Sequence, residues 1–487
     1  MNIIENFNKT GNQNIFEEVI DLMMVDELSE KHGINDEIKD KLKNLPTEQK
    51  RMVILGMLEE ANNIPLFMNI KALTNKNINR MEHIKDVILM LREYVKVGEV
   101  EKKKFGEVMT PLELVKEMLQ TLPDDVWSNP NLKWLDPANG TGPFPAMVIY
   151  KLMEGLKEWE PDDEKRYKHI IENMIYVSEL QPKNMFLWLC VADPFDEYLT
   201  NIYTGSFLDE GFDEHMKEVW KVDKFDIVMG NPPYNAPSTD GKKGTTGKKN
   251  LYTKFMFKSL DILIEDGYLI FVNPPAFLKT TNFNKSTDIY SKIQNLNLLY
   301  LNLDDINDKY FKVGSPICYY LIQNNNKYDK TIIFNGISNS YVNIKSFNFI
   351  PRIYDDNIIT IINKIVNKGI NFNIIRDKET KTNKYISIQR LNHINKNGRF
   401  NINTNEDDKI FILRMDCEFP DDMKRILNLK LYRMILYTCR YDAIIYHYFF
   451  NGLKYPENYK NILNDKDIYS YFGLNSSEIS FIDKIIE

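Results

Sequence analysis

Phe225-Asp226-Ile227-Val228-Met229-Gly230-Asn231-Pro232-Pro233-Tyr234 reads as a buried strand that runs into a stiff turn. Its first five residues are an apolar run with one Asp, the length and character of a strand covered on both faces of a parallel sheet. Neither Pro232 nor Pro233 offers an N–H to a ladder, and each biases the residue before it to an extended conformation, so the strand must end there. Open α/β sheets place their ligands outside the carboxyl ends of strands. A rigid turn presenting one amide, two bare carbonyls and one aromatic ring suits a flat substrate carrying an amino group. Taken alone, a proline turn closed by an aromatic plug would read the same way, so the flanking sequence decides.

Upstream, Trp134-Leu135-Asp136 is a short strand, followed by Pro137-Ala138-Asn139-Gly140-Thr141-Gly142 and a helix from about Phe144 to Leu156. The glycines do not follow the G-x-G-x-x-G spacing of a pyrophosphate loop. Small residues let backbone approach a ligand closely, and a carboxylate beside them can pair with an ammonium. Those features match the amino-acid end of S-adenosylmethionine better than a dinucleotide. Before this strand, Phe105-Gly106-Glu107-Val108-Met109-Thr110-Pro111 opens a helix, with Thr110 as N-cap, Pro111 at the first helical position and Glu113 completing a capping box.

Downstream, Met174–Glu179 is a strand ending in an acid, where α/β nucleotide sites hold ribose hydroxyls. Its distance from Asp136 exceeds the usual ~20 residues and predicts that the intervening helix is extended by an insertion around Trp159–Tyr167. Ile202–Leu208 is expected as a third strand with Ser206-Phe207 at its carboxyl end, and Phe225–Met229 as the fourth. A helix at Leu251–Ile264 and strands at Gly267–Val272, Leu298–Leu303 and Ile317–Ile322 complete the alternation. Such alternation predicts an α/β, doubly wound, mainly parallel sheet.

Residues 1–100 form a helical segment, with amphipathic periodicity at Phe16–Leu28, Asp36–Leu45, Thr47–Leu58 and Asn79–Tyr94. Between Tyr234 and Leu251 a Gly-rich loop carries Lys242, Lys243, Lys248 and Lys249, suited equally to solvent or to phosphate contact. Residues 331–487 hold Lys381, Lys384, Tyr385, Arg390, Lys396 and Arg399, and a helix expected over Asp422–Thr438 carries Lys424, Arg425, Lys430 and Arg433. Near the end, Asn475 and Glu478 form a second capping box.

A net charge of −7 over 487 residues, with a pI near 5.6, means that any nucleic-acid surface must be local. The four cysteines and six histidines are dispersed, without metal-ligand spacing or a disulfide frame, as expected in a cytoplasm-like compartment with no metal required. No apolar run approaches the ~18 residues of a membrane span, and the polar first residues are not those of a secretory signal.

Together these motifs resemble the adenine-specific (N6) DNA methyltransferases of restriction–modification systems, in the motif order of the gamma class. Phe105–Pro111 resembles that family's F-x-x-x-x-T-P helix motif, and Asp136–Gly142 its D-P-A-C-G-T-G motif with Asn139 in place of the common Cys. Glu179 falls where the family's ribose-binding acid lies. Asn231–Tyr234 matches N-P-P-Y in full, Asn250-Leu251-Tyr252-x-x-Phe255 resembles N-L-Y-x-x-F, and Gly267–Pro274 resembles the G-x-L-x-F-x-x-P strand. The resemblance covers about residues 105–325. It departs at the third strand, where Ser206-Phe207 stands in place of the family's adenine-contacting acid and Asp209 lies two residues on.

The resemblance implies a Rossmann-like methyltransferase domain over 101–330, the helical segment before it, and an α+β target-recognition domain over 331–487 that binds DNA. It implies S-adenosyl-L-methionine as cofactor, held by Phe105, Thr110, Pro111, Asp136, Pro137, Ala138, Asn139, Gly140, Gly142, Glu179, Ser206, Phe207 and Asn231. Asn231, Pro232, Pro233 and Tyr234 are then catalytic, acting on a base flipped from double-stranded DNA. Lys242, Lys243, Lys248, Lys249, Lys384, Arg390 and Arg399 are the DNA contacts. A separate restriction endonuclease would fit as partner, and the compartment would be the cytoplasm, that of the host cell were the source viral. N-P-P-Y also serves methyltransferases of release-factor glutamine and of ribosomal RNA guanine, and a non-catalytic DNA-binding subunit is a third reading.

Overall fold

The computed structural model describes residues 15–23, 34–62, 80–82, 84–88, 110–193, 197–234, 251–278, 289–304, 306–311, 316–327, 330–346, 350–375, 384–389, 400, 402–404, 412–440, 447–450 and 452–486. The chain divides into two compact units, one of Met1–Asn273 with Tyr319–Asn325, the other of Pro274–Cys318 with Asn326–Glu487.

In chain order the first strands are β1 (Trp134–Asp136), β2 (Ile175–Glu179), β3 (Asn201–Thr204), β4 (Phe225–Gly230), β5 (Leu263–Asn273), β6 (Asn297–Asn302) and β7 (Cys318–Gln323). In the first unit they stand in the order β3-β2-β1-β4-β5-β7. The pairs β2–β3, β1–β2, β1–β4 and β4–β5 are all parallel. Strand β7 returns antiparallel beside β5: Asn324 N donates to Gly267 O and Asp266 N to Asn324 O, while the Tyr320 hydroxyl reaches Asn273 Oδ1 at 2.8 Å. The apolar runs that announced these strands are buried, β1 and β2 along their whole length. From β1 the chain moves outward to β2 and β3, then crosses back to β4, so the strand order reverses between β1 and β4. That reversal opens the ligand crevice at their carboxyl ends.

Several boundaries differ from expectation for local reasons. Strand β3 stops at Thr204: Gly205 N still donates to Glu179 O at 2.9 Å, but Ser206 then turns the chain, its Oγ accepting from Leu208 N. A helix at Glu210–Glu218, absent from the sequence reading, follows; its buried face is only Phe212, His215 and Met216. The insertion before β2 forms its own helix, Asp163–His169, capped by Asp162, and does not lengthen Pro143–Gly155. Strand β5 begins four residues early, passing through Asp266 at a φ of 66°.

The amino-terminal helices are fastened to this unit. Ile15–Leu22 lies against Pro182–Ala192. Lys50 Nζ bonds Glu17 and Asp21 at 3.1 and 3.3 Å. Arg80 bonds Glu164 at 2.8 Å and Glu197 at 3.2 Å, over the rings of Tyr167 and Tyr198.

In the second unit β6 runs parallel to β8 (Thr331–Phe334), which pairs antiparallel with β9 (Asn339–Val342). Further on are β10 (Ile370–Asn371), β11 (Ile374–Ile375), β12 (Tyr385–Gln389), β13 (Ile402–Thr404), β14 (Ile412–Asp416) and β15 (Lys454–Tyr455). The antiparallel sheet β11-β14-β12-β13 and the helices Asp356–Asn367, Pro420–Leu427, Lys430–Cys439, Asp465–Phe472 and Ser476–Ile485 share a core of residues such as Ile361, Ile386, Met415, Ile426 and Ile435. The helix expected over 422–438 is thus two, broken where Leu429 is extended (φ −66°, ψ 152°). Its cations hold this unit together: Arg425 bonds Asp422 at 2.6 Å and Ile462 O at 3.0 Å, Lys430 bonds Asp483 at 2.8 Å, and Arg433 is buried. The capping box of Asn475 and Glu478 is present, and Glu478 also binds Lys364 at 2.6 Å.

All four cysteines are buried thiols outside any disulfide. Among the described residues no helix is long and apolar enough to cross a membrane, and no group of three or more His, Cys, Asp or Glu could hold a metal ion.

Candidate active site

Asp136 ends β1 and turns its carboxylate into the crevice, 1% exposed. Its Oδ1 accepts from Ala138 N at 3.0 Å, while its Oδ2 is buried with no hydrogen-bond partner among the described residues. Burial pushes the carboxyl up to about 8; nearby Glu179 adds to this and the Ala138 N–H opposes it. The turn after Asp136 is fixed by its own backbone. Asn139 N donates to Ser178 O at 3.0 Å and Gly142 N to Asn139 O at 3.0 Å. Two further polar atoms, Asn139 Oδ1 and Thr141 Oγ1, are also buried there without a partner among the described residues. Orphaned buried polar atoms are costly, and three in one turn mark a place built for a polar ligand.

Glycine is required at two points. At Gly142 φ is 92° and a Cβ would stand 2.2 Å from the Trp188 ring, so the turn can press onto the Pro182–Ala192 helix only without a side chain. At Gly230, where φ is 152°, a Cβ would lie 2.8 Å from Asp136 Oδ1. That glycine brings the end of β4 against the end of β1, so Asn231 follows immediately beside the buried carboxylate.

Glu179 ends β2 and ties the turn to the sheet, Oε2 accepting from Gly140 N at 2.7 Å and Oε1 from Gln181 N at 2.8 Å. These bonds fix the orientation of the acid at the head of the turn. Ser206 is half-buried just past β3. Phe207 is 1% exposed and packs on Phe212 and Phe255 with ring centroids 4.8 and 5.2 Å away, beneath Lys258. Pro137 is buried and Ala138 half-buried in the same turn.

At the end of β4, Asn231 is half-buried, Pro232 buried, Pro233 exposed and Tyr234 half-buried. Asn231 Nδ2 donates to Thr110 Oγ1 at 3.0 Å. This bond corrects the sequence reading of Thr110 as an N-cap. The helix is Leu112–Leu119 with Pro111 at its cap position and no side-chain cap bond, because the Thr110 hydroxyl is turned to Asn231. Periodicity could not have found the pair, which is 121 residues apart. Ser178, Thr141 and Trp188 were likewise missed. Only their positions beside the strand end and the Gly-rich turn hinted at them.

Of the DNA contacts expected from sequence, Lys384 is exposed just before β12. Lys242, Lys243, Lys248, Lys249, Arg390 and Arg399 lie outside the described residues, as do Lys381, Lys396 and the cofactor candidate Phe105.

Residues 151–311 match the model of the Eco57I restriction-modification methylase family. Over that stretch the chain is similar to the restriction–modification methylases. An uncharacterized adenine-specific methylase of Mycoplasma pneumoniae is 26% identical over 297 residues, covering 47% of this chain and 69% of that protein. Modification methylase CviBIII of Paramecium bursaria Chlorella virus NC1A is 26% identical over 256 residues, covering 50% of this chain and 58% of that protein. The type II methyltransferase M.AccI of Acinetobacter calcoaceticus is 24% identical, and the chain spans 42% of its length. The M protein of the type I restriction enzyme EcoKI aligns with 66% of this chain and 71% of its own, at 17% identity and a TM-score of 0.35. The methylase match spans β2 to β6 and so contains the Asn231–Tyr234 turn.

Proposed function

We propose that the chain transfers a methyl group from S-adenosylmethionine to the exocyclic N6 amine of an adenine flipped out of a specific DNA sequence, in a restriction–modification setting. The observation that carries this reading is the rigid Asn231-Pro232-Pro233-Tyr234 turn held beside the buried Asp136 carboxylate at the strand reversal.

An exocyclic adenine amine is a weak nucleophile because its lone pair is delocalised into the ring. The Asn231 side-chain oxygen and the Pro232 carbonyl each accept one of its hydrogens, which draws the nitrogen toward tetrahedral and directs its lone pair outward. Tyr234 stacks on the extruded base. The cofactor, when bound, supplies an electrophilic sulfonium methyl. Asp136 pairs with the cofactor's ammonium, Glu179 accepts from its ribose hydroxyls, and the small turn residues from Pro137 to Gly142 admit its amino-acid end. The orphaned Asp136 Oδ2, Asn139 Oδ1 and Thr141 Oγ1 fit that use. Rate enhancement then comes from positioning and preorganised hydrogen bonds.

Thr110 and Pro111 close the crevice, and Ser206 and Phe207 flank its β3 side. Residues 331–487 serve as the target-recognition domain, with Lys384, Arg390 and Arg399 and the Lys242–Lys249 loop as phosphate contacts. The protein's compartment would be the cytoplasm, that of the host cell were the source viral, and a separate restriction endonuclease would fit as its partner.

Expression in a bacterium lacking adenine methylation tests the reading. N6-methyladenine at one recurring sequence in the genomic DNA is the expected result. Unmodified DNA together with methylated ribosomal RNA guanine or release-factor glutamine would overturn it.

A further inference from the structure

The helix Pro182–Ala192 meets the turn of Asp136–Gly142 at Trp188, whose ring lies so close to Gly142 that a Cβ there would stand 2.2 Å from it. Packing this tight transmits displacement, so the helix sets where the turn can lie. The amino-terminal segment grips the same helix at two places. Ile15–Leu22 lies against it, with Val19, Ile20 and Met23 wholly buried. Lys50 holds that flanking helix in turn, through Glu17 and Asp21.

The second grip is at the carboxyl end of the helix. Ala192 O accepts from the Tyr167 hydroxyl at 2.7 Å, and Asp193 accepts from Glu197 N and Tyr198 N at 2.9 and 3.0 Å. The guanidinium of Arg80 lies 5.3 Å over the Tyr167 ring and 5.3 Å over that of Tyr198. It bonds Glu197 and Glu164, and Glu164 also accepts from the Tyr198 hydroxyl. Arg80 is buried, and a desolvated cation held by two rings and two carboxylates is a far firmer anchor than an exposed ion pair. One side chain of the amino-terminal segment thus gathers the groups that end the helix.

We propose that the amino-terminal helical segment supports S-adenosylmethionine binding, with Arg80 as a positioning residue that acts on the Asp136–Gly142 turn through the helix Pro182–Ala192. This rests on the reading of that turn as the cofactor site. Such a coupling is reciprocal: what the segment adds to cofactor affinity, the bound cofactor adds to the anchoring of the segment.

Amide hydrogen exchange of the full chain, with and without saturating S-adenosylmethionine, tests this in the wild type. The cofactor is expected to slow exchange in Pro182–Ala192 and in Ile15–Leu22 by about threefold or more. Exchange in Asp36–Lys43, a helix of the same segment that buries no residue, should stay unchanged. Cofactor affinity is then compared for wild type and Arg80→Met at a temperature where both are fully folded. The variant should bind on the order of 5- to 20-fold more weakly. Exchange in Ile15–Leu22 that ignores the cofactor would overturn the proposal, whether or not the variant folds. So would equal slowing in Asp36–Lys43, which would mean general stabilisation alone, or wild-type affinity in Arg80→Met. Wild-type protein that binds no S-adenosylmethionine would instead overturn the reading of the turn as the cofactor site.

Discussion

At the scale of single residues, Asp136 governs how the site responds to pH. In the unfolded chain its carboxyl titrates near 3.8, whereas burial raises it to about 8 in the folded protein. Between those values the folded state binds a proton that the unfolded state has lost. The stability of the cofactor-free protein therefore falls as pH rises through this window and levels above about 8. Pairing with an ammonium favours the ionised form, so cofactor binding must expel the proton. Calorimetry at pH 7 in buffers of different ionisation enthalpy should show roughly one proton released per cofactor bound, and Asp136→Asn should bind more weakly and release none. Wild-type binding without proton release would mean that the carboxyl is already ionised. The buried acid at the head of a tight turn was legible in Asp136-Pro137-Ala138 because a carboxylate beside small residues leaves a local pattern. The Thr110–Asn231 bond was not, since it joins distant segments and Thr110-Pro111 looks locally like a helix start.

At the scale of elements, the strands with continuous apolar runs were legible because burial on both faces demands such runs. The Glu210–Glu218 helix was not, since its buried face is three side chains in a polar stretch. The break at Leu429 was equally hidden, its flanking helices sharing one amphipathic pattern. Two elements carry predictions. Gly142→Ala forces a side chain onto the Trp188 ring at a φ of 92°. It should lower stability by about 2–4 kcal/mol in denaturant titration, and weaken cofactor binding with it; unchanged stability would mean that the turn relaxes freely. Asn475→Ala removes the acceptor of the Glu478 N–H at 2.9 Å. It should cost about 1 kcal/mol, read from the same titration.

At the scale of the whole molecule, the proposed DNA binding by a chain of net charge −7 would have to run through local cations. Binding should weaken steeply with salt, and Lys384→Ala should flatten the slope of log affinity against log salt by about 1; an unchanged slope would remove Lys384 from the contact surface. The doubly wound sheet was legible as a whole because four motif-bearing strands occur in order. The arrangement of the second unit was not, its strands being short and several of its cations spent on internal bonds.

In the proposed reaction Asn231 delivers an adenine amine to the methyl donor. Its most direct measurement is single-turnover transfer from labelled S-adenosylmethionine to an unmethylated duplex, with products resolved as nucleosides by mass spectrometry, for wild type and Asn231→Ala. The prediction is N6-methyladenine from the wild type and a rate lower by about 100-fold or more in Asn231→Ala. Label on any other acceptor, or transfer by Asn231→Ala at the wild-type rate, would contradict it.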